Sequence, residues 1–380
     1  MSRRTLLISN YNVDRRYWNG IPYDIARVVA AAEGGIVCAP PARHYATPAS
    51  MWRLLADDRY RLAQALRDLM MMRWNDLAEP QDIDAEYDLC FVVLFFPSDL
   101  RFLERIRGWR ERSKIAAVFL LELWSGEVEK ARDLGVLDRF DHVFLVNDAA
   151  IPLVQARTRT PVSQLSLAVD ALRAAPVPVE GRMPHRPIDI LSYGRRQPDV
   201  HARLVEIAAR QGLFYKYDVW AKMLADDWET TRAMSAELTR RSRYAVVWGP
   251  TIAPAAHKIP VLRDDRVMSA RFFEATTGGA IMIGDYQSSP VIDRLIDWPD
   301  AMVRIRPDGS DVEATLDALE ADPARRARIR AANVLNGLRR HDWSHRWADA
   351  LATLGLTPVE GFHARQAALA ARAAVVEATP

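Results

Sequence analysis

Cysteine is scarce in this sequence: the 380 residues include only Cys38 and Cys90, each within an apolar run. A disulfide framework and a zinc site built from cysteines are therefore excluded, and isolated thiols in such runs usually pack as small hydrophobic side chains. Long apolar runs are missing too, since no segment reaches the ~18 residues that a membrane-spanning helix requires. The apolar stretch before Asn10 is too short for the core of a signal peptide. We therefore expect a cytoplasmic protein, for which peripheral membrane contact stays open.

An excess of charge of one sign is also absent. Lysine and arginine number 51 against 49 aspartates and glutamates, so the formal net charge is only +2. Binding to nucleic acids is driven by counterion release, which requires an excess of positive charge that this sequence lacks. We therefore expect no nucleic-acid partner. The sequence has no P-loop, no HExxH and no GxSxG motif, and no GxGxxG follows a predicted strand, which argues against an NAD-linked dehydrogenase.

Short apolar runs alternate with helical patterns along the chain. Such alternation is typical of βαβ units, and strands that are apolar at almost every position are typical of parallel strands buried on both faces. We predict an α/β fold with two doubly wound parallel sheets that face a cleft. The predicted strands of the first sheet cover residues 5–9, 36–39, 88–95, 115–121, 142–147 and 163–167. Those of the second cover 188–193, 214–219, 244–248, 280–284 and 302–305.

Proline marks the boundary between the two series. Pro176, Pro178, Pro184 and Pro187 fix φ and remove backbone donors, so neither a helix nor a central strand continues there. We predict an N-terminal Rossmann-like domain over residues 1–175, a linker over 176–187, a C-terminal Rossmann-like domain over 188–356 and a helical tail over 357–380. Helices are predicted at 52–74, 324–338, 344–354 and 362–374. Ligands of open α/β sheets bind beyond the carboxyl ends of the strands, so the cleft is the expected site.

The segment that begins at Ser269 holds the densest set of candidate residues. Ser269 can cap a helix that ends near Gly278, and the free N–H groups of such a helix start attract anions such as a diphosphate. Glu274 lies mid-helix beside two phenylalanines, a costly setting for a carboxylate unless partners hydrogen-bond it. The alternative is an ion pair between Arg271 and Glu274 on a solvated helix face, worth a few tenths of a kcal/mol.

Several segments resemble one family in sequence, order and distance. The run Arg271-Phe-Phe-Glu-Ala-Thr-Thr-Gly-Gly is similar to the RxxExxxxG block of GT-B glycosyltransferases, in particular the CgeB-type (spore maturation protein-like) group. The turn Tyr193-Gly-Arg-Arg196 resembles the family's GR turn after a strand. Residues 320–326 resemble its DPxxR helix start and 341–346 its HxWxxR entry to a late helix, while 140–147 and 163–170 resemble the last strands of the N-terminal domain.

The resemblance implies a nucleotide-sugar donor held mainly by the C-terminal domain and an acceptor facing the N-terminal domain. No cofactor besides the donor is implied. The glutamate aligned with Glu274 contacts the donor ribose, and Arg271 and Gly278 belong to the same donor-binding block. Retaining members carry a second glutamate eight residues earlier, where this chain has Arg266. This departure leaves inverting transfer and a non-catalytic protein open.

Basic residues near strand ends are candidates for binding the donor phosphates. Arg195 and Arg196 follow a strand in a glycine-containing turn, where guanidinium groups can fork onto phosphate oxygens and stabilise a departing diphosphate. Solvated loop arginines are the alternative. Lys258 and Arg263, in the loop after the strand at 244–248, would supplement them.

Inverting transfer needs a base that takes the acceptor proton from across the cleft. Glu122 is the first candidate because it follows a very apolar strand and lies close to Trp124, and capping of the next helix is the alternative. Asp99, after Phe-Phe-Pro, is the second candidate. The loop at 9–12, with Trp18 and its neighbours Asn19 and Gly20, offers aromatic and amide groups that suit the acceptor sugar.

The sequence therefore predicts a metal-independent glycosyltransferase with a nucleotide-diphosphate sugar as donor. The resemblance to the family implies that it is a hexosyltransferase. Its acceptor, whether glycan, lipid-linked sugar, protein or small molecule, is not identified. A nucleotide or sugar-nucleotide binding protein of the same fold stays open, as does a sugar-nucleotide epimerase or hydrolase. Asp82 and Asp84 match the DxD pattern of metal-dependent GT-A enzymes, but we expect a solvated loop there and no metal site.

Overall fold

Two parallel sheets form the framework of the protein. The computed structural model describes residues 3–42, 78–129, 131, 133–194, 196–217, 225, 227–250 and 265–379. The helix predicted at 52–74 and the candidates Arg195, Lys258 and Arg263 lie outside these residues. In chain order the strands are β1 (Thr5–Ser9), β2 (Ile36–Cys38), β3 (Gln81–Asp82), β4 (Tyr87–Leu94), β5 (Ile106–Arg107), β6 (Ser113–Leu120), β7 (His142–Leu145), β8 (Val162–Gln164), β9 (Ile188–Ser192), β10 (Tyr215–Tyr217), β11 (Ser242–Trp248), β12 (Ile281–Asp285) and β13 (Val303–Arg304).

The N-terminal sheet has six parallel strands in the order β2-β1-β4-β6-β7-β8. Its central strands are continuous apolar runs, and every residue of β4 from Leu89 to Leu94 is buried. Such burial follows from helices and loops that cover both faces of a parallel sheet. The register places Thr5 opposite Leu89 and Ser9 opposite Val93, so the carboxyl ends of β1 and β4 reach the same edge.

The C-terminal sheet has five parallel strands in the order β10-β9-β11-β12-β13. Each strand predicted from the sequence is present among the described residues, so the α/β class with two parallel sheets is confirmed. The bounds differ most at β8, an edge strand that pairs only with β7 and ends three residues before the predicted strand. A separate pair, β3 with β5, includes Asp82 of the DxD pattern, whose exposed carboxylate pairs with Arg107 at 2.6 Å.

The helices begin and end largely where capping residues predict. Asp322 accepts a hydrogen bond from the backbone N–H of Arg325 at 2.8 Å, and Pro323 is the first helical residue, as the sequence predicts. The described helices are α1 (Gly20–Glu33), α2 (Ser125–Val128), α3 (Ile151–Gln155), α4 (Ala171–Ala174), α5 (Pro198–Gln211), α6 (Trp228–Arg240), α7 (Ala270–Gly278), α8 (Pro290–Leu295), α9 (Val312–Ala321), α10 (Pro323–Arg340), α11 (Trp343–Thr353) and α12 (Glu360–Glu377).

The last two helices return to the N-terminal sheet. The indole of Trp347 in α11 donates to Glu33 of α1 at 2.7 Å, and its ring packs edge-on against Phe91 of β4. Helix α12 packs on both α1 and α10, and its Arg365 pairs with Asp170 and Asp342 at 2.7 Å. The chain thus crosses between the sheets twice, at 176–187 and again between α10 and α11. The helices predicted near the C-terminus are present, but they contact both halves of the protein.

The segment at 176–187 should be the site where a protease first separates the two sheets. It carries the exposed Arg182, which forms a single bridge with the exposed Val179. We predict that limited trypsin digestion cuts after Arg182 and that the fragments co-elute in size-exclusion chromatography, because Trp347 and Arg365 hold the C-terminal helices on the N-terminal sheet. The variant Arg182→Gln is the control and should lose this cut. Fragments that separate without denaturant would contradict the packing, and a wild type resistant at this segment would count against a linker.

Candidate functional site

A cleft of about 550 Å³ lies between the carboxyl ends of the two sheets. Residues that follow β4 and β6 enter it from the N-terminal sheet, while the turn after β9 and the start of α7 face them from the C-terminal sheet. Open parallel sheets bind their ligands at this edge. One wall is rich in aromatic side chains, which are Tyr17, Trp18, Phe95, Phe96 and Trp124.

Glu274 of α7 is buried in this cleft. Only 6% of its surface is exposed, and it accepts hydrogen bonds from the Tyr193 hydroxyl at 2.6 Å and from the Arg232 guanidinium at 2.7 Å. Burial and the neighbouring carboxylate raise the pKa of Tyr193 well above its ordinary value, so the phenol stays protonated and donates. The solvated face considered for Glu274 is therefore wrong, because its partners are buried groups from two other elements.

Arg232 links Glu274 to the N-terminal half of the protein. Its guanidinium also binds Asp24 of α1, with distances of 2.7 and 2.8 Å, and Asp24 in turn accepts from Arg173 at 2.8 Å. Burial alone would lower the pKa of Arg232, but the charges of Asp24 and Glu274 raise it well above its ordinary value. Burial raises the pKa of Asp24, against the opposing effect of the two arginines. We call the buried chain Asp24–Arg232–Glu274 the ionic bridge.

Two glycines make room for these guanidinium groups. A Cβ on Gly20 would lie 2.7 Å from Cδ of Arg232. A Cβ on Gly194 would lie 2.6 Å from Nη1 of Arg271, and the φ of +80° at Gly194 also favours glycine. Arg271 donates to the carbonyl oxygen of Tyr193 at 2.6 Å. The turn after β9 is therefore held directly against the start of α7.

The start of α7 opens into the cleft. Ser269 occupies the N-cap position, but its hydroxyl caps no amide and is buried without a hydrogen-bond partner among the described residues. Ser269, Ala270 and Arg271 all line the cleft. N–H groups at a helix start carry partial positive charge, so this corner is suited to an anion.

Glu122 faces α7 from the opposite side of the cleft. It is half-buried, its N–H donates to the Phe95 carbonyl at 2.8 Å, and its carboxylate accepts from the indole of Trp124 at 2.9 Å. The alternative role considered for Glu122 was to cap the next helix. The carboxylate at the start of α2 is instead that of Glu127, 3.5 Å from the N–H of Trp124. Asp99 is buried and accepts from the N–H of Phe96 at 3.0 Å, so it closes the start of its own 3₁₀ helix and does not line the cleft.

Three other residues considered from the sequence, Arg196, Gly278 and Arg266, do not line the cleft. Arg196 contacts His201 at 3.2 Å and lies over the ring of Tyr217, and it is not among the residues that line the cleft. Gly278 lies at the far end of α7 from the cleft, packed against Thr239 of α6. Arg266 is exposed and donates to the Ser288 carbonyl at 3.0 Å.

Sequence reasoning missed the residues that cross between the two halves. Besides Arg232 and Asp24, these include the fully buried Asp265, which accepts from the N–H of Ser125 at 3.1 Å and from the Asn147 amide at 2.7 Å. In the sequence, the feature that could have indicated Arg232 is its position on a face of α6 formed largely by small residues, such as Ser235 and Ala236. Small side chains mark a close approach of another element, but they do not say which carboxylate the arginine meets.

Neither a cluster of metal-ligating side chains nor a membrane-spanning helix is present among the described residues. No group of three or more His, Cys, Asp and Glu side chains converges there as a metal site would require. No helix in that part of the chain is both long and apolar enough to cross a membrane.

Two solved structures share this architecture along the chain. One is an α-glucosyltransferase in complex with UDP-glucose and DNA containing an abasic site; the match covers 93% of this chain and 100% of that one, with a TM-score of 0.54 and 11% identity. The other is an α-glucosyltransferase in complex with UDP, with the same coverage and identity and a TM-score of 0.52. The likeness shows the fold, and the predicted GT-B fold is confirmed.

Within this fold, residues 195–352 match the model of a family described as glycosyl transferase-like. That range includes α6 and α7, and hence Arg232 and Glu274. The C-terminal part of the chain is thus similar to a glycosyl transferase-like domain. A search of curated protein sequences found no match. The narrower resemblance to the CgeB-type group stays a prediction.

The ionic bridge should dominate the response of stability to mutation. Arg232→Met keeps an unbranched stem but removes the guanidinium, which leaves Asp24 and Glu274 buried with one fewer cation, so the free energy of unfolding should fall by about 3–5 kcal/mol. Loss of Arg232 raises the pKa of Asp24 further, so the deficit should shrink as the pH is lowered and Asp24 takes up a proton. Urea denaturation at several pH values measures both effects.

Arg241→Met is the matched control, at the residue that follows the end of α6. Arg241 pairs with Glu237 at 2.8 Å, but both side chains are about half exposed, so this pair should contribute at most about 1 kcal/mol. Equal losses in the two variants would show that the buried chain adds nothing beyond a surface ion pair.

Proposed function

We propose that this protein is a metal-independent glycosyltransferase that transfers a hexosyl group from a nucleotide-diphosphate sugar to an acceptor hydroxyl. The observation that carries the proposal is the cleft itself, which sets a helix start and the buried Glu274 opposite the half-buried Glu122 and a wall of aromatic rings. The match of residues 195–352 to a glycosyl transferase-like family supports it.

Glu274 is proposed to hold the ribose of the donor. Arg232 and Tyr193 fix both of its oxygens, so the carboxylate is positioned before the nucleotide arrives. Each carboxylate oxygen accepts more than one hydrogen bond, which leaves lone pairs for ribose hydroxyls. The structural neighbours are complexes with UDP and UDP-glucose, so uridine nucleotides are the first donors to test.

The diphosphate is proposed to bind at the start of α7. The hydroxyl of Ser269, which has no partner among the described residues, and the first N–H groups of the helix supply donors, and Arg271 lies beside them in the cleft. Arg195 follows Gly194 directly and is the better phosphate candidate of the arginine pair, since Arg196 contacts His201. Lys258 and Arg263 remain candidates to supplement them. Metal independence is proposed because these groups would neutralise the diphosphate without a metal ion.

Glu122 is proposed as the base of an inverting transfer. It would take the proton of the acceptor hydroxyl while that oxygen bonds to the anomeric carbon and the bond from this carbon to the diphosphate oxygen breaks. The indole of Trp124 orients the carboxylate from one side. The exposed Arg266, in place of the second glutamate of retaining families, favours inversion over retention.

The donor site is tested by Glu274→Gln, which keeps the shape of the side chain and removes its charge. We predict that UDP affinity falls by roughly 1.5–3 kcal/mol, the range for a hydrogen bond to a charged group, as measured by calorimetry. Thermal-shift screening of nucleoside diphosphates would first identify the nucleobase of the donor, since a ligand at 100 times its Kd stabilises the folded protein by about 2.7 kcal/mol.

Asp24→Asn is the matched control for this experiment. Asp24 binds the same guanidinium of Arg232 but does not line the cleft. It should lower thermal stability and leave UDP affinity nearly unchanged. If the two variants weaken UDP equally, Glu274 acts through the ionic bridge and does not contact the nucleotide.

The catalytic base is tested by Glu122→Gln, whose amide oxygen can still accept from Trp124. Donor affinity should stay nearly intact while turnover falls by about 10² to 10⁴, the range for general-base catalysis. Release of UDP from a panel of UDP-sugars measures turnover, with water as the acceptor at first. The comparison variant Asp99→Asn should keep its turnover.

Other outcomes of this assay point elsewhere. Hydrolysis lost in Asp99→Asn and kept in Glu122→Gln would make Asp99 the base. Tight UDP binding with no turnover for any donor and acceptor would favour the alternative, a nucleotide-binding protein of the same fold.

A further inference from the structure

A second cavity, of about 650 Å³, lies at the opposite edge of the C-terminal sheet from the cleft. Asp189 and Arg243, at the amino-terminal ends of β9 and β11, line it, and the two cavities share no lining residue. Segment 176–187, helix α10 and the end of α12 supply the other walls. A small molecule could therefore bind here without entering the cleft.

Arg330 of α10 is the unusual residue of this cavity. Its Nε and Nη2 are buried, and no acceptor among the described residues lies within hydrogen-bond distance of them. A buried guanidinium donor without a partner costs free energy. Burial lowers the pKa of Arg330, and the positive charge of nearby Arg243 adds to this effect, whereas Tyr244 and Glu320 oppose it.

Arg186 is a second cation of this cavity. Among the described residues, no carboxylate accepts a hydrogen bond from it. Its guanidinium donates to the carbonyl oxygens of Ser242 and Gly278, both at 2.9 Å. Burial, followed by the charge of Arg330, lowers the pKa of Arg186 to about 9. The third arginine, Arg243, is already neutralised by Asp189 at 2.9 Å and by Glu320.

The remaining walls are largely apolar. Met183, Pro184, Val334 and Val376 line the cavity beside the arginines. Its volume is within the usual range of small-molecule sites, which combine apolar walls with a few charged groups that orient the ligand.

We propose that this cavity binds a small phosphate monoester, with the phosphate on Arg330 and Arg186 and the organic group against the apolar walls. A monoester is a dianion near neutral pH, and its charge matches two guanidinium groups better than the single charge of a carboxylate. Guanidinium forks also match the geometry of phosphate oxygens. The proposal does not depend on the function proposed for the cleft.

The position of the cavity couples this ligand to the segment between the sheets. Met183 and Pro184 belong to segment 176–187, and Val376 belongs to α12, which packs on α1 of the N-terminal half. A bound ligand would fasten the segment to α10 and α12. We therefore expect the ligand to slow tryptic cleavage after Arg182, next to Met183.

The probe is phenyl phosphate, titrated by calorimetry into the protein with and without excess UDP, with inorganic phosphate as a second titrant. Arg330→Gln should weaken phenyl phosphate at least tenfold, since charge-assisted hydrogen bonds are lost. It should keep or raise the melting temperature, because a buried unpaired charge is removed. Arg328→Gln, on an exposed position of the same helix, is the control and should bind like the wild type. Inorganic phosphate should bind more weakly, because it leaves the apolar walls uncovered.

Binding of phenyl phosphate to the wild type with loss in Arg330→Gln and protection of the bond after Arg182 would support the site. The proposal is overturned if the wild type does not bind phenyl phosphate, if Arg330→Gln binds it equally well, or if UDP displaces it, which would place the anion at the start of α7. Equal affinities for phenyl phosphate and inorganic phosphate would show that the apolar walls do not bind the organic group, which would contradict the proposal of a monoester.

Discussion

The position of one buried cation, Arg232, controls how the two halves of this protein meet. Removing three charged side chains from water costs several kcal/mol each, and the cost is recovered only while every charge keeps its partners. Asp24 comes from the first helix of the N-terminal half and Glu274 from the helix that opens into the cleft. The same hydrogen bonds therefore align the two sheets and aim a carboxylate at the cleft, so a change in the angle between the halves would move Glu274.

The cleft and the second cavity lie at opposite edges of the same sheet, and they differ in chemistry. At the carboxyl edge, the guanidinium groups of Arg232 and Arg271 are occupied by a carboxylate and by a carbonyl oxygen, and aromatic rings form the far wall. At the amino edge, Arg330 has buried donors that no described residue accepts from. The first arrangement is a fixed scaffold around a ligand, whereas the second leaves guanidinium donors to which an added anion could bind.

The sequence was sufficient for the sheets because each central strand is an apolar run of its own, and it was sufficient to single out Glu274 because a carboxylate beside Phe272 and Phe273 needs partners. It was not sufficient to find those partners. Arg232 lies 208 positions from Asp24 in sequence, and nothing local pairs one with the other. The same holds for Asp265, which meets Asn147 only because the two sheets face each other. Local patterns determine which groups require partners, while long-range packing determines which partners they obtain.

The two crossings between the halves lie side by side. The N–H of Val169 donates to the His341 carbonyl at 2.9 Å, and the N–H of Trp343 donates back to Val169 at 3.0 Å, so the second crossing is bound to the chain just before the first. Two adjacent covalent connections define a line, and rigid bodies joined along a line keep one easy rotation about it. Sliding of one half past the other and twisting about the perpendicular axes would strain both connections at once. A rotation about this line is therefore the motion by which the width of the cleft could change, and the ionic bridge, which spans the two halves, opposes it.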